Sequence, residues 1–241
     1  NVVVPDEYIK KFGADALRAY LMFLGPFDQG GDFRDTGIEG MYRFLKRVWD
    51  LAANTRDLVL EREEDSREVY RSIHQAIKRV TEDIEKLKFN TAISSLMIFV
   101  NALQKIALKN ADLNAVPNPP ASPAAKRWRA GWDEALRTLL LLLAPFAPHM
   151  TEELWDRLLG PSAPRQLGKE PKSPKAPEPR SHFNSIHFQP WPTYDPELAE
   201  EEIIKIPVQV NGKLRGTVTV DRSEADKQDV IEAKAHELES L

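Results

Sequence analysis

VYRSIHQAIKRVTEDIEKLKFNTAISSLMIFVNALQKI, residues 69–106, decides the fold. Val69, Ile73, Ile77, Val80, Ile84 and Leu87 recur at three- and four-residue steps. Ile93, Leu96, Met97, Val100, Leu103 and Ile106 then repeat the pattern. This is the spacing of one apolar stripe on each of two successive helices. Upstream, Ile38, Met41, Leu45, Val48, Trp49 and Ala52 form another stripe. Downstream, Trp128, Trp132, Ala135, Leu136, Leu139, Leu140 and Leu143 form a fourth, stopped at Ala144-Pro145 because the proline ring removes a donor and clashes with the preceding turn. Four long stripes joined by polar or Pro-rich links predict an antiparallel helical bundle.

Shorter elements flank it. Pro5-Asp6-Glu7 opens a helix that Gly13 ends, and Ala14 to Leu24 gives a second, closed by Gly25-Pro26. Residues 27–33 read as a loop, and a last bundle helix runs from about Pro148 to Leu159 before Gly160-Pro161. Six prolines then fall between 161 and 179, which predicts an extended or mobile excursion. Beyond it, Ile203 to Val210 and Gly216 to Val220 alternate as strands about an Asn211-Gly212 hairpin signal. Ser223 to Leu238 follows as a helix with Ser223 as N-cap, though Asp226 leaves the capping box imperfect. A hairpin and one helix are too small to stand alone, and Asn1 replaces an initiating Met, so the sequence is read as a piece cut from a longer chain. The expected class is mainly α: a helical bundle followed by a small, truncated α+β domain.

Composition narrows the function. The 241 residues are 42% apolar and 29% charged, with 33 Lys and Arg against 37 Asp and Glu for a net charge of −4. Global basicity is absent, so nucleic-acid contact has to come from local patches. With no cysteine, disulfides, thiolate zinc sites and cysteine nucleophiles are excluded. The most apolar run, Leu139 to Ala144, is too short to cross a bilayer, and no targeting pattern opens the chain. Neither common Gly-rich phosphate loop nor a His-x-x-x-His pair is present. Histidines 74, 149, 182, 187 and 236 are scattered, and His182 with His187 is read as an accidental pair. Glu61, Glu63, Glu64 and Asp65 read as a solvated face. No catalytic residue and no metal site is therefore expected. Two basic clusters remain. Arg43, Lys46 and Arg47 share a helix, with Arg43 and Arg47 one turn apart and able to grip a run of phosphates. Tyr42 and Trp49 flank them at a spacing that favours core packing over the alternative, base stacking. Lys213 and Arg215 lie in the hairpin tip, where a solvated turn and a nucleic-acid contact are equally open readings.

Several motifs carry a family resemblance. Asn1-Val2-Val3-Val4-Pro5-Asp6-Glu7-Tyr8-Ile9 and Phe12-Gly13-Ala14-Asp15-Ala16-Leu17-Arg18 resemble the segment after the KMSKS loop of class I aminoacyl-tRNA synthetases for Leu, Ile, Val and Met. The stretch from Gly37 to Trp49 (GIEGMYRFLKRVW) resembles the leucyl enzymes rather than their valyl, isoleucyl or methionyl relatives. Phe89-Asn90-Thr91-Ala92-Ile93 and the run Leu143 to Trp155 (LAPFAPHMTEELW) match the family's anticodon-binding bundle. Trp191-Pro192 and Val208 to Gly216 (VQVNGKLRG) resemble the C-terminal domain of bacterial-type leucyl-tRNA synthetases.

The resemblance implies four zones: residues 1–36 as a stem-contact segment, 37–160 as the anticodon-binding bundle, 161–202 as an insertion and linker, and 203–241 as an incomplete C-terminal tRNA-binding domain. It implies tRNA-Leu and the catalytic and editing domains of the synthetase as partners, with no membrane and no DNA, in the cytoplasm. The family's HIGH motif, nucleotide-binding fold, editing domain and KMSKS loop have no counterpart here. ATP with Mg belongs to the whole enzyme, and the piece alone is expected to need no cofactor and to catalyse nothing. Arg43, Lys46, Arg47, Lys213 and Arg215 become the implied tRNA-binding residues, while Arg18 and His149 are expected to brace the structure. The same architecture from a valyl or isoleucyl relative and an interaction module without RNA remain the alternatives.

Overall fold

The computed structural model describes residues 4–55, 58–60, 62–111, 123–158, 185–200, 203–210 and 213–221, together with 228, 232 and 233. Two compact units are present, residues 1–199 and 200–241.

In the first unit, α1 (Pro5–Phe12) and α2 (Ala14–Phe23) are separated only by Gly13. Gly13 has φ 87° and ψ 157°, a region that a side chain penalises, and its N–H caps the Ile9 carbonyl. The four expected stripes lie on α3 (Asp35–Asn54), α4 (Glu63–Glu85), α5 (Phe89–Ala111) and α6 (Pro123–Leu143), followed by α7 (Pro148–Leu158). Ile38, Met41, Leu45 and Val48 of α3, Val69, Ile73, Ile77 and Val80 of α4, Ile93, Leu96, Val100, Leu103 and Ile106 of α5, and Trp132, Leu136, Leu139 and Leu143 of α6 are buried in one cluster. The side chain of Trp128 lies outside the described residues.

Opposite ends meet between α4 and α5. Asp65 and Glu68, early in α4, pair with Lys109 at the end of α5, and Glu68 also with Lys105. The two helices therefore run antiparallel across a three-residue reversal. That reversal corrects one expected core position. Leu87 adopts φ 55° and is 53% exposed, because α4 stops at Glu85 and the chain needs a left-handed residue to turn back at once. By length and composition α5 could cross a membrane, which Leu139 to Ala144 could not, yet its stripe is buried in the bundle. Tyr42 is a second correction. It is 43% exposed because it sits a position past Met41, off the buried face, and its ring tilts against Phe12. Trp49 is half-buried.

Asp65 corrects the solvated acidic face. It is 3% exposed, accepts a hydrogen bond from Asn110 Nδ2 at 3.1 Å, and has Arg62 and Lys109 within 3.8 Å. Burial of a carboxylate is tolerated only with such partners. Glu63 and Glu64 are exposed, as expected.

The linker expected over 161–202 is divided. Residues 161–181, where the prolines cluster, lie outside the described residues. Residues 185–199 are instead a strap packed on the bundle. Ser185 Oγ and Ile186 N–H both donate to Glu152 Oε2 at 2.9 Å, and the Ile186 side chain is buried. Trp191 Nε1 donates to Thr81 Oγ1 at 2.8 Å, and the Asp195 N–H donates to His74 Nδ1 at 3.0 Å. The strap ends in a single turn, α8 (Pro196–Ala199). No break in packing follows residue 36, since α2 and α3 share the same buried cluster.

The second unit contains an antiparallel hairpin of β1 (Ile203–Val210) and β2 (Lys213–Asp221). Asn211-Gly212 and most of the expected helix from Ser223 to Leu238 lie outside the described residues; 228, 232 and 233 are helical.

Candidate nucleic-acid interface

The basic face of α3 arises because Met41, Phe44, Leu45 and Val48 take the buried side of the helix and leave positions 42, 43 and 46 outside. Arg43 is exposed and has no ion-pair partner among the described residues. Lys46 lies 2.6 Å from Asp50 one turn on, and this hydrogen bond raises the lysine pKa above its ordinary value. Arg47 is half-buried. Its Nη1 donates to Asn101 Oδ1 at 2.8 Å and to Gln104 Oε1 at 3.4 Å on α5, and its guanidinium lies over the Phe44 ring. Both acceptors are neutral amides, so the positive charge of Arg47 is positioned without being cancelled. Most of its donors stay free of them, since guanidinium carries five N–H bonds.

Lys213 and Arg215 both fall on β2, with Lys213 opposite Val210. Val208 pairs with Gly216 and Gln209 with Leu214, so Arg215 is the extra residue of a bulge. Their side chains lie outside the described residues.

Sequence reading missed the partner of His149. Asp15 of α2 accepts the Met150 N–H at 2.6 Å and the His149 N–H at 3.4 Å, capping the N-terminus of α7 from another helix. The same carboxylate lies 2.7 Å from His149 Nδ1. A carboxylate only accepts, so Nδ1 carries a proton. An Asp in the first turn of α2 is sequence-legible as a dipole partner, but the 134-residue separation of this pair hides its second role. His149 and Arg18 brace the fold as expected, with Arg18 Nη2 donating to the Pro145 carbonyl at 3.4 Å.

Between the α1–α2 junction, α3 and the start of α7 lies a groove of about 620 Å³. Phe12, Tyr42, Leu45, Trp49 and Met150 give it an apolar wall, and Lys46, Asp50 and His149 its polar edge. Among the described residues no cluster of three or more His, Asp or Glu could hold a metal ion.

Residues 66–231 match a family described as the anticodon-binding domain of tRNA ligase. The leucine–tRNA ligase of Dehalococcoides mccartyi strain BAV1 is 41% identical over 89% of this chain, which covers 22% of that protein. That of Chlorobaculum tepidum is 39% identical over 100% of the chain and 24% of the relative. Among solved structures, the Agrobacterium radiobacter K84 LeuRS, in a ternary complex with tRNA and LeuAMS, superposes with a TM-score of 0.66 at 30% identity. The alignment covers 100% of this chain and 27% of the other. The chain spans about a quarter of the length of these relatives.

Proposed function

The chain belongs to the anticodon-binding domain family of tRNA ligases, on its leucyl branch, and from that premise we propose that it is the part of a leucine–tRNA ligase that binds and orients tRNA-Leu. The observation that carries this reading is the α3 face. An arginine with no ion-pair partner among the described residues, a second held in place by neutral amides and a lysine paired with Asp50 stand on neighbouring turns of a bundle helix. Cations fixed on a helix address phosphates without reading sequence, which is what orienting an RNA requires. Lys213 and Arg215 on β2 are proposed as a second set of phosphate contacts.

The whole enzyme attaches leucine to tRNA-Leu with ATP and Mg in the cytoplasm, and its catalytic and editing parts are the other partners of this piece. This chain alone is proposed to make no leucyl-adenylate, and ATP–pyrophosphate exchange above background by the purified piece would overturn that.

Gel retardation of a tRNA-Leu transcript tests the RNA reading. Binding that weakens steeply as salt rises is the expected result. A folded chain that leaves tRNA unshifted at low salt would show an interaction module without an RNA partner.

A further inference from the structure

We propose that the groove between the α1–α2 junction, α3 and α7 receives one unpaired nucleotide of the bound RNA, its base stacked on Tyr42. This rests on the RNA-binding reading above and adds a site to it.

The volume, about 620 Å³, suits a single nucleotide, because pockets for small ligands run from about 300 to 1,000 Å³. The wall is aromatic where a base needs a face. Tyr42 is a large exposed side chain on the otherwise basic side of α3, and its ring is supported by Phe12 at a centroid distance of 5.8 Å. Trp49 is less available, since Arg157 covers its ring at 5.8 Å. The rim mixes charges: Asp15 and Asp50 line the groove, Lys46 is paired with Asp50, and Lys11 with Glu39. Lys11 stands over Phe12 at 4.7 Å, Arg43 neighbours Tyr42 in sequence, and Lys46 lines the groove itself. An aromatic wall edged by lysine and arginine is the arrangement that holds unstacked bases, the ring taking the base and the cations the flanking phosphates.

His149 adds a polar edge. Asp15 holds its Nδ1, and the side chain is 78% exposed beside the groove. With Nδ1 held by Asp15, the Nε2 edge of the ring is left to meet a polar group of the base.

The test uses the full chain, a tRNA-Leu transcript and three variants, with circular dichroism to confirm folding. Tyr42→Ala removes the stacking face, Tyr42→Leu keeps apolar bulk against Phe12 without a π face, and Tyr42→Phe keeps the face. Both Tyr42→Ala and Tyr42→Leu should lose roughly 5- to 150-fold in affinity, the range for one stacked base, while Tyr42→Phe binds as the unaltered chain. Their log–log salt slopes should not change, because no phosphate contact is lost. Arg43→Ala should do the reverse at the rim, flattening the slope. Tyr42→Ala and Tyr42→Leu chains that bind tRNA as tightly as the unaltered one overturn the groove assignment and leave the RNA reading standing. An unaltered chain that binds no tRNA overturns both.

Discussion

Asp15 joins two helices through one carboxylate. It sits in the first turn of α2, caps the backbone of α7 and fixes the His149 ring. Asp15→Ala should therefore leave the α7 N–H groups without an acceptor and cost about 1–2 kcal/mol, as lost helix caps do. Urea unfolding would show this as a lower midpoint at unchanged slope. Gly13 is a backbone case. A Cβ there meets no atom within 4 Å, so Gly13→Ala creates no clash. It does force a side chain into a region at φ 87° that only glycine occupies freely, and should cost roughly 1–3 kcal/mol. Gly37 differs in kind. Its Cβ would come within 2.5 Å of the Tyr20 ring, which is pinned between the N–H and carbonyl of Arg34.

At the scale of elements, the helices were legible because burial on a helix repeats every three to four residues, and that period is visible without tertiary knowledge. Ile73, Val100 and Leu139 lie where their stripes put them. What the period could not show depends on contacts far apart in sequence. Asp65 reads as one more acid in a charged run until Asn110 and Lys109 arrive from the far end of α5. Lys46 was legible on a basic helix, but the period read Tyr42 as core, and the closure of the groove needed Gly13 and His149 from far along the chain. The strap was hidden for another reason. Its Pro190, Pro192 and Pro196 look like linker composition, and its anchors are one buried isoleucine and a few hydrogen bonds to helix side chains. Glu152→Ala removes the acceptor shared by Ser185 Oγ and Ile186 N–H. Faster amide exchange confined to residues 185–189, with the bundle still protected, is the expected result. Uniform loss of protection across α4 and α5 would mean that the strap is needed for the whole unit.

The molecule as a whole carries a net charge of −4 and is proposed to bind a polyanion, so its affinity has to come from local cations working against a mildly repulsive mean field. Salt dependence then counts contacts, at about 0.9 in log–log slope for each phosphate neutralised on duplex RNA taken by analogy with B-DNA. Arg43→Ala should flatten the slope by about that amount at little cost in stability, because an exposed charged side chain seldom contributes more than about 0.5 kcal/mol. Arg47 separates charge from architecture. Its bonds to Asn101 and Gln104 tie α3 to α5, so Arg47→Ala should lower stability as well as slope, by about 0.5–1.5 kcal/mol for each hydrogen bond lost. Arg47→Lys keeps the charge and discards the planar fork, and should lower stability while leaving the slope nearly intact. Replacing Lys213 and Arg215 by Ala in the second unit should subtract further slope, added to that of Arg43, because released ions are counted wherever on the chain the contact lies. None of these changes should alter the preference for one tRNA over another, since phosphates carry no sequence information. Salt titrations of the variants with two tRNA species decide it: a variant that changes the preference at constant slope would show that its side chain reads a base rather than the backbone.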